Sequence, residues 1–169
     1  MTTKTKAFET KDALDLYKKI IYTEGKAGRR MDKKQIEEMI DLAIRQLDHS
    51  YVPYSHFHVG AALLAKNGTY YTGCNIENAA YTPTNCAERT AFFKAVSEGV
   101  REFQAICIVG GKDGVLTEYA APCGVCRQVM MEFCDPETFQ IILAVSKDKY
   151  DIFALKELLP LGFGPANLA

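Results

Sequence analysis

Phe103-Gln-Ala-Ile-Cys-Ile-Val109, the stretch 123–133 that opens Cys123-Gly-Val-Cys126, and Phe139-Gln-Ile-Ile-Leu-Ala-Val145 decide the fold. The first and last are short apolar runs of strand length, and the first ends at Gly110-Gly111. The stretch between them reads as a helix. A strand, a helix and a strand in that order form a crossover unit with its two strands parallel.

Working outward, Phe57 to Ala65 reads as a buried strand, and Tyr70 to Cys74 as the strand returning from it. Asn67-Gly68 between them is a strong hairpin signal. Residues 85–98 read as a helix stopped by Gly99. Before the hairpin, Asp32 and Gln35 make a capping-box pattern. Ile36, Met39, Ile40, Ala43, Ile44 and Leu47 then form one apolar stripe, which Tyr51-Val-Pro-Tyr-Ser55 breaks. A short strand near Ile152 and a short helix ending at Pro160 close the chain. The expected fold is α/β: a layered, mixed five-stranded sheet with helices on both faces.

The chain has 169 residues, 48% of them hydrophobic and 24% charged, which suits one packed domain with a short appendage. Residues 1–31 carry a net charge of +4 and residues 32–169 a net of −5. The shift falls near Gly25-Lys-Ala-Gly-Arg-Arg30. We therefore divide the chain into an N-terminal extension of unknown role, residues 1–31, and a main domain, residues 32–169. Leu14, Tyr17, Ile20 and Ile21 mark an amphipathic helix over about 11–24 in the extension. The overall charge of −1 disfavours a dedicated nucleic-acid binder. No apolar run is long enough to span a bilayer. With no export signal read at the start, a cytoplasmic location is expected.

Six cysteines are the unusual count. Cys123 and Cys126 stand three apart at a helix start, so both sulfurs can reach one metal, and the helix N-terminus favours thiolate. Cys86 opens another helix, with Glu88 two residues on. Three ligands leave a tetrahedral position open, the mark of a catalytic zinc site, where a carboxylate such as Glu88 can shuttle protons. Two other readings stay open here. One is a four-cysteine structural site completed by Cys74, Cys107 or Cys134; the other is a redox dithiol. Neither accounts for Cys86-Ala87-Glu88. His56 and His58 could share a strand face, but a paired-histidine metal site is set aside. Asn67-Gly68-Thr69 is read as a turn rather than a glycosylation site.

Cys86-Ala-Glu88 with Pro122-Cys-Gly-Val-Cys126 fits the zinc deaminase pattern. The resemblance extends through Phe57-His-Val-Gly-Ala-Ala-Leu63, Gly73-Cys-Asn-Ile-Glu-Asn-Ala-Ala-Tyr81, Asn85-Cys-Ala-Glu-Arg-Thr-Ala91, Pro122-Cys-Gly-Val-Cys-Arg-Gln128 and Leu158-Leu-Pro-Leu-Gly-Phe163. The chain resembles the small homotetrameric cytidine deaminases. That resemblance implies one Zn2+ per chain on Cys86, Cys123 and Cys126, with Glu88 as the catalytic proton shuttle. It implies that Asn75 and Glu77 contact the ribose hydroxyls, that Phe57 packs near ribose and base, and that the Ala87 backbone donates to the base. Tyr81 and Phe163 are expected to complete a neighbouring subunit's site in a homotetramer. Arg89 and Arg127 each follow a ligand cysteine closely and are expected to donate to the thiolates, withdrawing their negative charge.

The implied reaction is hydrolytic deamination of cytidine and deoxycytidine to uridine and deoxyuridine, with release of ammonia, in pyrimidine salvage. The expected partner is a small nucleoside, with no nucleic acid and no membrane. The alternatives are a deaminase of another aminopyrimidine such as blasticidin S, a polynucleotide-editing deaminase, and a non-catalytic zinc or dithiol protein.

Overall fold

The computed structural model describes residues 31–168; the helix read over 11–24 lies outside them. The elements are α1 (Lys33–Arg45), β1 (Phe57–Ala65), β2 (Tyr70–Cys74), α2 (Ala87–Ser97), β3 (Phe103–Lys112), α3 (Gly124–Phe133), β4 (Gln140–Ser146), β5 (Lys149–Ala154) and α4 (Leu155–Leu158). This is the order read from the sequence, with ends moved by a residue or two and β3 three residues longer. Asp32 caps α1 as expected, its Oδ1 accepting the Gln35 amide at 2.8 Å.

The five strands form one sheet in the order β2-β1-β3-β4-β5. Only β3 and β4 run parallel, joined by the α3 crossover; the other neighbours are antiparallel. β3 is central and buried along nearly its whole length. That explains its unbroken apolar run, since a strand covered on both faces does not alternate.

Helices cover both faces. On one, α1 lays Ile36, Met39, Ile40 and Ala43 over Ala62, Leu64, Ala105, Cys107 and Ile142. On the other, Ala91, Phe92 and Ala95 of α2 and Met130 of α3 pack on Leu63, Ile106, Ile108 and Ile141. Phe92 is the hinge of an aromatic group, edge-on to Phe103 at 4.9 Å and stacked with Phe133 at 6.2 Å.

Met31, placed in the extension by the charge shift, is only 6% exposed and packs in the α1 cluster.

Two glycines let the site form. A Cβ at Gly73 would lie 2.4 Å from the Ala87 carbonyl oxygen and 2.6 Å from the Ala91 nitrogen, so only glycine lets α2 start against β2. A Cβ at Gly110 would meet Ala120 Cβ at 2.8 Å and Phe57 at 3.2 Å. Its absence draws the loop after β3 against the start of β1.

Candidate metal centre and substrate cavity

Cys86 is the residue just before α2, and Cys123 the residue just before α3. The packing of both helices on one sheet face brings their N-termini together. Thr90 fixes the first of these starts, its hydroxyl donating to the Cys74 carbonyl at 3.0 Å.

The Sγ atoms of Cys86, Cys123 and Cys126 all lie within 4.8 Å of one another. Cys86 to Cys123 is 3.9 Å and Cys123 to Cys126 is 3.5 Å. Thiolates ~2.3 Å from a tetrahedral zinc stand about 3.8 Å apart, so the donor set fits that ion. Among the described residues no fourth cysteine joins them. Cys107 is buried on the opposite sheet face under α1, Cys134 lies at the far end of α3, and Cys74 donates to the His49 carbonyl. Burial pushes the Cys107 and Cys134 thiols up, away from thiolate. The Cys86 thiol is instead pulled down to about 5, chiefly by a hydrogen bond from Cys126, then by Arg89. His58 faces the Leu47 carbonyl through Nδ1, so it is a structural residue.

Glu88 is 4% exposed and is the one charged side chain buried among the described residues. Burial raises its carboxyl above the ordinary range. It lines a cavity of about 380 Å³ together with Cys86, Cys123, Phe57, Asn75 and Glu77. That volume is in the range of small-molecule sites. Loop residues Tyr119, Ala120 and Ala121, with Val59, Thr84, Asn85 and Ile108, complete the lining. The three loop residues were not singled out in the sequence, because the loop after β3 has no periodicity. Ala87 is fully buried at the first position of α2 and does not line the cavity, so it can contribute only its backbone amide.

Asn75 and Glu77 both line the cavity, and both also hold backbone. Asn75 accepts the Val59 amide at 2.9 Å and donates to the Phe57 carbonyl at 2.8 Å. Glu77 Oε2 accepts the amides of Tyr54 at 2.9 Å and Ser55 at 3.2 Å. The Ser55 hydroxyl and these amides hold its carboxyl below the usual carboxylate range. Phe57 is 41% exposed, a wall of the cavity rather than core.

Tyr81 and Phe163 do not line this cavity. Tyr81 is 75% exposed, stands 6.3 Å from the Tyr54 ring and borders a smaller adjoining pocket. Phe163 is 58% exposed on the C-terminal turn.

The two arginines part company. Arg89 Nη2 donates to Cys86 Sγ at 3.6 Å and to the Thr84 carbonyl at 3.0 Å. Arg127 does not reach a thiol. Its Nε donates to the Pro122 carbonyl and its Nη1 to the Leu158 carbonyl, each at 2.7 Å. Carbonyl acceptors at two points of the chain capture the guanidinium, so the expected charge withdrawal rests on Arg89 alone.

Residues 33–142 match the family model for the cytidine and deoxycytidylate deaminase zinc-binding region. A cytidine deaminase of Sporosarcina psychrophila is 48% identical over 134 residues, covering 79% of this chain and 95% of that protein. One from Halalkalibacterium halodurans is 47% identical over 133 residues, with 79% and 95% covered. Among solved structures, a cytidine deaminase from Burkholderia pseudomallei aligns with a TM-score of 0.68 and 42% identity, over 75% of this chain and 97% of that one. A cytidine deaminase from Mycobacterium tuberculosis aligns with a TM-score of 0.66 and 36% identity, over 80% and 99%.

Proposed function

The chain belongs to the cytidine and deoxycytidylate deaminase family, and from that premise we propose how its own residues carry out the reaction. The activity is the zinc-dependent hydrolytic deamination of cytidine, giving uridine and ammonia. Relatives named as cytidine deaminases turn the choice away from blasticidin S and from a non-catalytic zinc or dithiol protein. Deoxycytidine is a second substrate on our reading, and pyrimidine salvage the setting.

The observation that carries the proposal is a buried carboxylate sharing one cavity with two members of a three-thiol cluster. Cys86, Cys123 and Cys126 hold the zinc. When bound, the ion supplies a Lewis acid that makes water nucleophilic near neutral pH. Glu88 collects the proton that water gives up and delivers it to ring N3, which makes C4 more open to attack. Once the water oxygen has bonded to C4, Glu88 takes the remaining proton of that hydroxyl and passes it to the amino group, whose bond to C4 breaks so that it leaves as ammonia. One carboxylate serves both transfers because it is buried against the thiols and still opens on the cavity. Arg89, donating to Cys86, offsets part of the three-thiolate charge.

Asn75 and Glu77 take the ribose hydroxyls with the lone pairs and proton that the backbone leaves free. Phe57 packs beside ribose and base, and the Ala87 amide donates to the base. Tyr81 and Phe163 act in a neighbouring subunit's site, so the working form is a homotetramer. Their exposure outside their own chain's cavity supports this. The six free cysteines fit a reducing cytoplasm, where thiols stay available to metal. Among the described residues no helix is long and apolar enough to cross a membrane.

The test is metal analysis joined to an ammonia-release assay with cytidine. About one zinc per chain, with stoichiometric uridine and ammonia, is the expected result. Zinc without ammonia release would return the chain to the non-catalytic reading.

A further inference from the structure

We propose that Arg127 and Gln128 are positioning residues that strap the C-terminal turn carrying Phe163 to the helix whose first turn carries two of the metal-binding thiols. The proposal rests on the reading of Phe163 as a neighbouring site's aromatic.

The strap has two fastenings from consecutive residues of α3. Arg127 donates to the Leu158 carbonyl at 2.7 Å, and Gln128 Nε2 donates to the Phe163 carbonyl at 2.8 Å. Arg127 also grips the Pro122 carbonyl at 2.7 Å, immediately before Cys123. A third contact lies one helical turn on. Gly164 sits so close to Met131 that a Cβ there would be 3.1 Å from its Cγ and Cε atoms. One side of α3 thus carries both ends of the segment 158–164.

Between the fastenings Leu159 packs on the core and accepts the Gly162 amide at 3.3 Å, while Leu161 and Phe163 stand clear of it. Leu161 is fully exposed and takes a left-handed φ of 54°, which costs a bulky residue energy. Phe163 is 58% exposed, and neither side chain joins a core cluster. Core packing therefore does not set where the Phe163 ring stands. The polar contacts of the turn do: the bonds from Arg127 and Gln128, and the Gly164 amide donating to Asn167 Oδ1 at 2.8 Å. Arginine suits its place because a planar fork reaches two carbonyls at once, which a lysine ammonium on one flexible stem does not reproduce. The Leu158 carbonyl is an acceptor left over at the end of α4, where a helix has no partner of its own to offer.

The consequence is mechanical. The turn that carries Cys123 and Cys126 and the aromatic offered to the neighbouring site move as one body. Loss of a fastening leaves the thiols in place and lets the ring wander, so substrate binding suffers while the chemical step does not.

The experiment uses the full-length zinc-loaded protein with Gln128→Ala, Arg127→Lys, Phe163→Ala and the double variant Gln128→Ala/Phe163→Ala. Amide hydrogen exchange at Gly162 and Gly164 reads the strap itself. KM and kcat for cytidine, with zinc per chain, read its effect. Gln128→Ala and Arg127→Lys are each expected to speed exchange at both amides by about tenfold, the mark of local opening. KM should rise about five- to tenfold, with kcat within about twofold and zinc unchanged. In the Phe163→Ala background, Gln128→Ala should add less than about twofold to KM, because residues acting through one group are not additive. Unchanged exchange in both single variants overturns the strap. Faster exchange with unchanged KM overturns its role in binding, as does a full additional KM effect in the double variant. A Phe163→Ala protein with wild-type KM overturns the shared-site reading separately.

Discussion

The Glu77 carboxylate holds the backbone amide of Tyr54 at 2.9 Å, across 23 positions of sequence. It therefore fixes the loop that leads into Phe57 as well as facing the cavity. Backbone bonds on each side reinforce the link, from Glu77 N–H to the Tyr51 carbonyl at 2.8 Å and from Tyr51 N–H to the Asn75 carbonyl at 3.1 Å.

Two roles for one carboxylate separate by substrate. Glu77→Ala is expected to lower kcat/KM for cytidine about 100-fold, and for 2′,3′-dideoxycytidine by only about tenfold. The first figure counts a lost charged hydrogen bond together with a loosened loop, and the second the loop alone. Steady-state kinetics on both substrates checks this. No loss at all on the dideoxy compound would confine Glu77 to ribose recognition. The bonded carboxylate titrates below the ordinary range, so the loop anchor is complete at neutral pH and is lost only as pH falls through that lowered value.

The metal-ligand set is tested by replacing cysteines of different burial. Cys123→Ala should lose most bound zinc and with it activity. Cys107→Ala should keep about one zinc per chain, because its thiol lies on the opposite face of the sheet. Metal analysis after dialysis checks both, and zinc loss from Cys107→Ala would contradict the three-thiol site.

Gly73→Ala should disturb the fold and the site together. The added carbon would lie 2.4 Å from the Ala87 carbonyl oxygen, so the start of α2 must move, and Cys86 with it. Forced repacking of this kind costs about 1–3 kcal/mol. Thermal unfolding with a zinc titration should show a lower midpoint and weaker metal binding. A wild-type midpoint with wild-type affinity would mean that α2 is not seated as described.

The order of elements was legible in the sequence because each had a local cause. Asp32 signalled a cap, Asn67-Gly68 a hairpin, and the apolar run from Phe103 a strand. Cys123 and Cys126 were legible as a pair because residues three apart share a helix face. Cys86 and Glu88 joined them through the family pattern. Beyond the cavity loop after β3, the sequence concealed side chains that hold distant backbone. Glu77 reaches Tyr54, and Arg127 reaches Leu158 across 31 positions. No spacing rule records such a partner. Arg127 was expected beside the thiols because it follows Cys126 directly, and the carbonyls that claim it became visible only in the folded chain. Met31 shows the same limit beside the charge shift: its packing against α1 is visible only in the folded chain.

The most direct measurement of the central claim is the rate of ammonia release from cytidine by Glu88→Gln protein at wild-type zinc content. The amide matches the carboxylate in shape but cannot carry a proton. The account predicts unchanged zinc and fold, with turnover lowered by at least about 100-fold, the low end for a lost general acid–base group. A zinc-loaded variant that kept more than about a tenth of the wild-type rate would contradict the assignment of Glu88 as the proton carrier.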